Sequence, residues 1–175
     1  MAEIQKVIFT VDDNEINLAS CNQILKPYYT VYPILSAEKM FKLMEKIKPD
    51  LILLDIEMPG MNGFEAAKIL KENNDTKEIP LVFLSAVTDA ASEAAGISMG
   101  ILDYIHKPFV STMLLRRIEI YFSLLDQKKI LEEVQKSLNK IIDLANESGH
   151  AEQNIKIILD LSKNLLAALN ENPQK

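Results

Sequence analysis

Short apolar runs rich in branched side chains alternate along the chain with longer stretches in which apolar residues return every three or four positions. VIFTV (7–11), TVYPIL (30–35), LILL (51–54), LVFL (81–84) and ILDYIH (101–106) predict strands, and the stretches at about 14–26, 37–48, 63–73 and 89–99 predict helices between them. Strands and helices in alternation imply parallel strands joined by right-handed crossovers, hence an α/β sheet covered on both faces. Punctuation agrees with this reading. Ser36 is placed to cap a helix, Asn62 with Gly63 opens another, and Pro80 sits at a strand start. Pro33 interrupts the second run and implies an edge position or an irregularity there.

A different pattern begins near residue 120. Ile120, Leu124, Gln127, Leu131, Val134, Leu138, Ile141 and Ala145 are spaced alternately by four and three, a heptad seam with one polar member. The helix that follows the fifth strand is therefore predicted to run on without a break. NESGHAEQ then supplies a glycine and capping residues, and a second amphipathic helix is predicted to about Leu169, with Ile155, Ile158, Leu161, Leu165 and Leu169 on one side. The expected organisation is a sheet domain over 1–124 and a helical extension over 125–175. Two readings of the extension are open: a helical hairpin folded onto its own sheet domain, or a homodimer whose extensions form a bundle. The length of the seam favours the homodimer.

Composition narrows the function classes. At 48% hydrophobic and 25% charged residues, the 175-residue chain has the profile of a soluble globular protein rather than a disordered one. The net charge of −6 and the absence of a Lys/Arg run or a zinc-ligand cluster oppose direct nucleic-acid binding. No apolar stretch is long enough for a signal peptide or a membrane span, and the lone Cys21 fits a reducing compartment, so a cytoplasmic location away from membranes is expected. Cys21 lies between Leu18 and Leu25 in a helical stretch and reads as a small core residue.

The candidate chemistry sits where apolar runs end. In open α/β sheets the carboxyl ends of the strands share one rim, and ligands bind beyond it. Asp12 and Asp13 follow the first run, Asp55 the third, Ser85 the fourth and Lys107 the fifth. Three carboxylates brought together repel one another unless a cation compensates. All-oxygen ligation without His or Cys suits a hard ion, and Mg²⁺ is the natural occupant. Lysine supplies positive charge for anionic oxygens and serine a hydrogen bond, so a carboxylate in this set could attack a phosphoryl group and hold the resulting acyl phosphate. Pro59, Gly60 and Gly63 turn the chain away above Asp55 and leave room there.

Taken together, Asp12-Asp13, LLDIEMPGMNG with Asp55, LSA with Ser85 and DYIHKPF with Lys107 resemble the receiver domains of two-component response regulators, over about residues 4–123. The resemblance implies a flavodoxin-like, doubly wound, five-stranded parallel sheet. It implies Asp55 as phosphoacceptor and Mg²⁺ held by Asp13 and Asp55, by Asp12 directly or through water, and by the backbone carbonyl of Glu57. Ser85 and Lys107 would engage the phosphoryl oxygens, Ser85 and Tyr104 would act as the switch pair, and the Lys107-Pro108 peptide is expected to be cis. Glu57 and Val87 occupy positions that in this family influence the lifetime of the phosphoryl group. The implied partner is a sensor histidine kinase or a phosphotransfer protein. The implied chemistry is that of a signalling protein, with self-phosphorylation from a donor and slow self-dephosphorylation, rather than that of a turnover enzyme.

Other features are assigned more modest parts. Met58 and Met61 read as packing or adaptable surface. His106 alternates with Lys107 along its strand and is expected on the surface rather than in catalysis. The small residues of TDAASEAAGISMG suggest a thinly packed, mobile fourth helix. His150 loosely resembles the phosphorylated histidine of a kinase dimerisation helix and reads instead as a solvated loop residue. Three alternatives remain beside the switch reading: a receiver fragment of a larger regulator, a Mg-dependent aspartyl-phosphate phosphatase of the haloacid dehalogenase type, and a scaffold that binds without phosphorylation. The phosphatase needs a second carboxylate two residues after its nucleophile, which Asp55-Ile56-Glu57 meets only loosely.

Overall fold

The computed structural model describes residues 5–86, 94, 96–147, 156–157 and 159–160. Two compact units divide the chain, Met1–Arg116 and Arg117–Lys175. The first is an α/β unit with strands β1 (Val7–Val11), β2 (Thr30–Ile34), β3 (Leu51–Asp55), β4 (Leu81–Ser85) and β5 (Asp103–His106). All pairings are parallel, in the order β2-β1-β3-β4-β5. Between them run α1 (Glu15–Leu25), α2 (Ala37–Met44) and α3 (Gly63–Glu72), and residues 96–98 are helical before β5. The predicted fourth helix at 89–99 otherwise falls outside the described residues, as does Val87.

Burial explains why the central strands read as unbroken apolar runs. Leu51, Ile52, Leu53 and Leu54 are all fully buried, as expected for a parallel strand covered on both faces. Successive side chains point to opposite faces. Phe9, Val11, Ile52, Leu54, Leu81 and Phe83 pack with Ala37 and Met40 of α2 and with Ala66, Ala67 and Leu70 of α3. The intervening residues face the other way, and α1, which packs on β1 and β2, buries Leu18, Cys21 and Leu25. Each fully buried leucine contributes roughly 1.5–3 kcal/mol. At the amino-terminal rim, Asp50 clamps two strands: its Oδ2 accepts from the Val7 N–H and its own N–H donates to the Val7 carbonyl, both at 2.8 Å.

β2 is the edge strand that Pro33 implies, and the register shows why proline is tolerated. The Thr30 N–H donates to Lys6, and the Ile34 carbonyl accepts from Asp12. In a parallel ladder the residues that bond inward alternate, so the even-numbered residues of β2 face β1. Pro33 sits at an outward position, where its missing N–H leaves no gap in the sheet and blunts the edge.

The caps agree with the expected punctuation. Ser36 caps α2, and Asn62 forms a capping box with Glu65 at the start of α3. Two boundaries differ from the sequence pattern by more than one residue. α2 ends at Met44 rather than near 48 because Lys46 and Ile47 both donate to Leu43 in a closing turn, and Pro49 disfavours helix in the residue before it. Ile47 continues the apolar period because it packs on the core without being helical. The last strand begins at Asp103 rather than 101, although Ile101 is buried in the same core.

The final helix, α4 (Ser111–Glu147), is continuous over 37 residues, about 55 Å of rise. It therefore runs on without a break, as the heptad spacing requires. Leu114, Ile118, Tyr121 and Phe122 are buried, whereas Ile120, Leu124, Leu131 and Leu138 are 43–67% exposed. Lys128 and Glu132 pair at i,i+4 on its surface. Residues 156–157 and 159–160 are helical. Ile155, Ile158, Leu161, Leu165, Leu169, His150 and the side chain of Ala145 lie outside the described residues. Among the described residues no helix is long and apolar enough to cross a membrane.

Candidate functional site

Asp12, Asp13, Asp55, Ser85 and Lys107 all lie at or just beyond the carboxyl ends of β1, β3, β4 and β5. The strand register makes this placement unavoidable: Asp55 pairs with Leu84 and Ser85 with His106, so the strand ends are level. Lys107 is fixed in turn by its own N–H, which donates to the Ser85 carbonyl at 2.8 Å.

Lys107 is the centre of the charge arrangement. Its ammonium lies 2.6 Å from Oδ2 of Asp12 and 2.9 Å from Oδ1 of Asp55. Asp12 and Asp55 are both buried, and Asp13 is exposed beside them. Each of the three aspartates offers an oxygen within 4.8 Å of those of the other two. Three convergent carboxylate oxygens open to solvent on the Asp13 side suit a hard divalent cation such as Mg²⁺ in number and chemistry. The one lysine already present balances only part of their charge.

The electrostatics follow from burial. Burial pushes the Asp55 carboxyl above the ordinary aspartate range, opposed by the hydrogen bond and charge of Lys107 and reinforced by the charge of Asp12. Burial pulls Lys107 downward, yet its hydrogen bonds to Asp12 and Asp55 together with the charges of those carboxylates outweigh this and hold its pKa above that of free lysine. Beneath the site, burial and the Asp12 charge push the Cys21 thiol up to about 12. That environment makes it an inert core residue, as its sequence context implies.

Two supports were not visible in the sequence pattern. Asp12 Oδ1 accepts from the Asn14 N–H at 2.9 Å and from Asn17 Nδ2 at 3.1 Å, which leaves Oδ2 for Lys107. Asn14 also caps α1, and its capping signal could have been found. Asn17 carried no signal beyond its place one turn into the helix. On the other side, Glu38 of α2 accepts from the Met61 N–H at 3.2 Å and so tethers the loop after Asp55. Hydrogen bonds from Ser36, from its own N–H and from Met61 hold the Glu38 carboxyl below the usual range.

The turn above Asp55 is as tight as its glycines suggest. Gly60 has φ +81°, and a Cβ on Gly63 would collide with the Asp55 carbonyl oxygen and approach Ile56 Cα to 2.7 Å. Gly63 N–H donates to the Ile56 carbonyl at 2.9 Å, seating α3 directly on the end of β3. Met58 is buried, Met61 packs against the core, and Glu57 between Ile56 and Met58 is exposed. Tyr104 is buried with its ring 5.3 Å from Phe83, edge on. His106 is exposed, its ring 6.3 Å from that of Tyr104. The Lys107-Pro108 peptide is cis.

Comparison with known proteins gives a consistent result. The model of the response regulator receiver domain matches residues 8–119. A probable cyclic di-GMP phosphodiesterase of Vibrio cholerae is 33% identical over 127 residues, covering 73% of this chain and 29% of that protein. The response regulator PleD of Caulobacter vibrioides is 31% identical, covering 73% and 28%. The chain thus spans under a third of the length of these relatives. Among solved structures, a CheY-like receiver domain protein of Methanospirillum hungatei superposes with a TM-score of 0.66 at 24% identity, covering 71% of this chain and 98% of the other. The chemotaxis protein CheY4 of Vibrio cholerae gives 0.63 at 24% identity, covering 66% and 97%. These structures share the flavodoxin-like fold of the five-stranded sheet.

Proposed function

Because the chain belongs to the response regulator receiver family, we propose that it is a phosphorylation switch whose acceptor is Asp55 and whose output passes through its helical extension. The observation that carries this reading is the bridge of Lys107 between Asp12 and Asp55. It brings a nucleophile, a second carboxylate and a cation into one small rim site.

In the proposed reaction an Oδ of Asp55 attacks the phosphorus of a phosphohistidine on a sensor kinase or phosphotransfer protein. A P–O bond forms, the P–N bond breaks, and the imidazole nitrogen leaves with the electron pair and takes a proton from solvent. The attacking carboxylate must be ionised, which the Lys107 charge favours against burial. Lys107 and Ser85, at the ends of β5 and β4, would then engage the transferred oxygens. Asp12, Asp13, Asp55 and the Glu57 carbonyl would hold Mg²⁺, which when bound supplies positive charge for the phosphoryl oxygens. Asn14 and Asn17 orient Asp12, and Glu38 holds the loop that carries Glu57. Ser85 and Tyr104 are the proposed switch pair, Tyr104 being packed inward on Phe83.

The second part of the reading is assembly. Leu124, Leu131 and Leu138 fall at one heptad position, with Ile120, Gln127, Val134 and Ile141 at the other. Leucine at the first with branched residues at the second favours more than two helices in a bundle. Two copies, each contributing two extension helices, meet that requirement, so a homodimer is the proposed assembly. The domain boundary near residue 124 belongs to this reading. So do a signalling rather than turnover role, a cytoplasmic location and the lack of direct nucleic-acid contact.

Beryllofluoride with Mg²⁺ tests both parts. It is expected to raise Tm in the unmutated protein and not in Asp55→Ala, and light scattering reads the assembly in the same samples. Equal shifts in both proteins would remove Asp55 from the site. A monomer at all concentrations would remove the bundle.

A further inference from the structure

α2 sorts its charges onto two sides. Glu38 and Glu45, seven residues apart, share the side from which Glu38 reaches Met61. Lys39, Lys42 and, in the turn that follows, Lys46 share another, the side facing the edge strand β2. There they line an open groove of about 450 Å³ whose floor is Pro33, Leu35 and Leu43. All three lysines are exposed, and none has a carboxylate within 4.0 Å among the described residues. In a chain with 25 acidic and 19 basic residues, three ammonium groups thus lie along one apolar trough with no carboxylate partner among the described residues.

We propose that this groove docks a short acidic segment of a partner protein, its carboxylates on Lys39, Lys42 and Lys46 and an aliphatic side chain on Leu35 and Leu43. Charge complementarity selects the class of occupant. The net charge of −6 opposes extended polyanions such as nucleic acid or an anionic membrane, and a concave trough fits a chain better than a flat lipid surface. The proline at the outward position of β2 removes a donor from the edge, so recognition runs through side chains rather than through an added strand. The site shares no residue with the acidic cluster and needs no phosphoryl group: an Asp55→Asn protein is expected to keep it.

The test uses the full chain, ¹⁵N-labelled, titrated with a blocked peptide of alternating Glu and Leu. Amide shifts are expected at residues 33–46, with binding weakened by added salt. In Lys39→Gln/Lys42→Gln/Lys46→Gln, affinity is expected to fall about tenfold or more, since each exposed pair contributes modestly. The corresponding triple Arg variant should retain it. Unchanged spectra elsewhere confirm that the Gln variant is folded. Shifts outside 33–46, equal binding by the Gln variant, or stronger lysine-dependent binding to phosphatidylserine vesicles or single-stranded DNA would overturn the proposal. So would a lower molar mass of the Gln variant, which would make the occupant a second copy.

Discussion

The ammonium of Lys107 sits closer to Asp12, at 2.6 Å, than to Asp55, at 2.9 Å, although 95 residues separate Lys107 from Asp12. One cation therefore serves two buried carboxylates. Asp55 receives positive charge that opposes the upward pull of burial on its carboxyl, without being locked into a closed pair.

Removing that cation should shift the acceptor's titration. The acid limb of the rate of phosphorylation from acetyl phosphate is expected above the ordinary aspartate range, because burial raises the Asp55 pKa. In Lys107→Met the limb should move further up, and the rate at neutral pH should fall by roughly a hundredfold. Initial rates across pH check both; an unmoved limb would show that Lys107 does not set the charge of Asp55.

Asp55 should also be a stability liability. A carboxyl whose folded pKa is raised binds its proton more tightly when folded. Its contribution is favourable at low pH and is lost as pH rises through the folded pKa. At neutral pH without divalent ions, Asp55→Asn is therefore expected to stabilise the protein by about 1 kcal/mol, a gain of a few degrees in Tm. Mg²⁺ should raise the Tm of the unmutated protein by mass action and do so much less in Asp13→Asn. Thermal melts with Mg²⁺ and with chelator read both effects.

Much of this site could be read along the chain, for a physical reason. Parallel strands buried on both faces show as continuous apolar runs, so the polar residue that ends each run marks the rim; Asp55 after LILL and Ser85 after LVFL were visible in that way. Pro33 marked the edge because only an outward register tolerates it. The links between elements were not legible. Nothing near Asn17 says that its amide will meet Asp12, nor anything near Glu38 that it will reach Met61, since both depend on how helices sit against the sheet. Helix ends were blurred where Ile47 kept the apolar period after the helix had closed.

Gly63 permits no side chain. Gly63→Ala would press a methyl group into the Asp55 carbonyl and Ile56 Cα, backbone atoms that cannot yield cheaply. The expected loss is about 2–3 kcal/mol in chemical denaturation, with phosphorylation falling as Asp55 is displaced. Wild-type stability in this variant would mean that α3 seats more loosely on β3 than the structure indicates.

Glu38 is expected to act through the loop that it tethers at Met61 rather than on the phosphoryl group. Glu38→Ala should slow phosphorylation a few-fold at limiting Mg²⁺ by freeing Met61 and the Glu57 carbonyl, mainly through weaker Mg²⁺ binding, whereas Glu38→Gln keeps an acceptor oxygen and should retain most of the rate. Rates over a Mg²⁺ titration separate this from a general loss of fold, which would lower the rate at saturating Mg²⁺ as well.

The exposed seam of α4 should carry assembly. Leu131→Asp, at a position 67% exposed in the single chain, is expected to leave the sheet unit folded and to yield a monomer by light scattering. An unchanged molar mass would place the contact elsewhere.

Whether Asp55 accepts the phosphoryl group is decided by peptide mapping. The full chain is incubated with acetyl phosphate and Mg²⁺, and the modified aspartate is trapped by borohydride reduction and located by mass spectrometry. One hydroxylamine-labile phosphoryl group is expected, on Asp55, absent without Mg²⁺ and absent in Asp55→Asn. Modification at another residue in the unmutated protein, or none at all under conditions that label a known receiver domain, would contradict Asp55 as the acceptor.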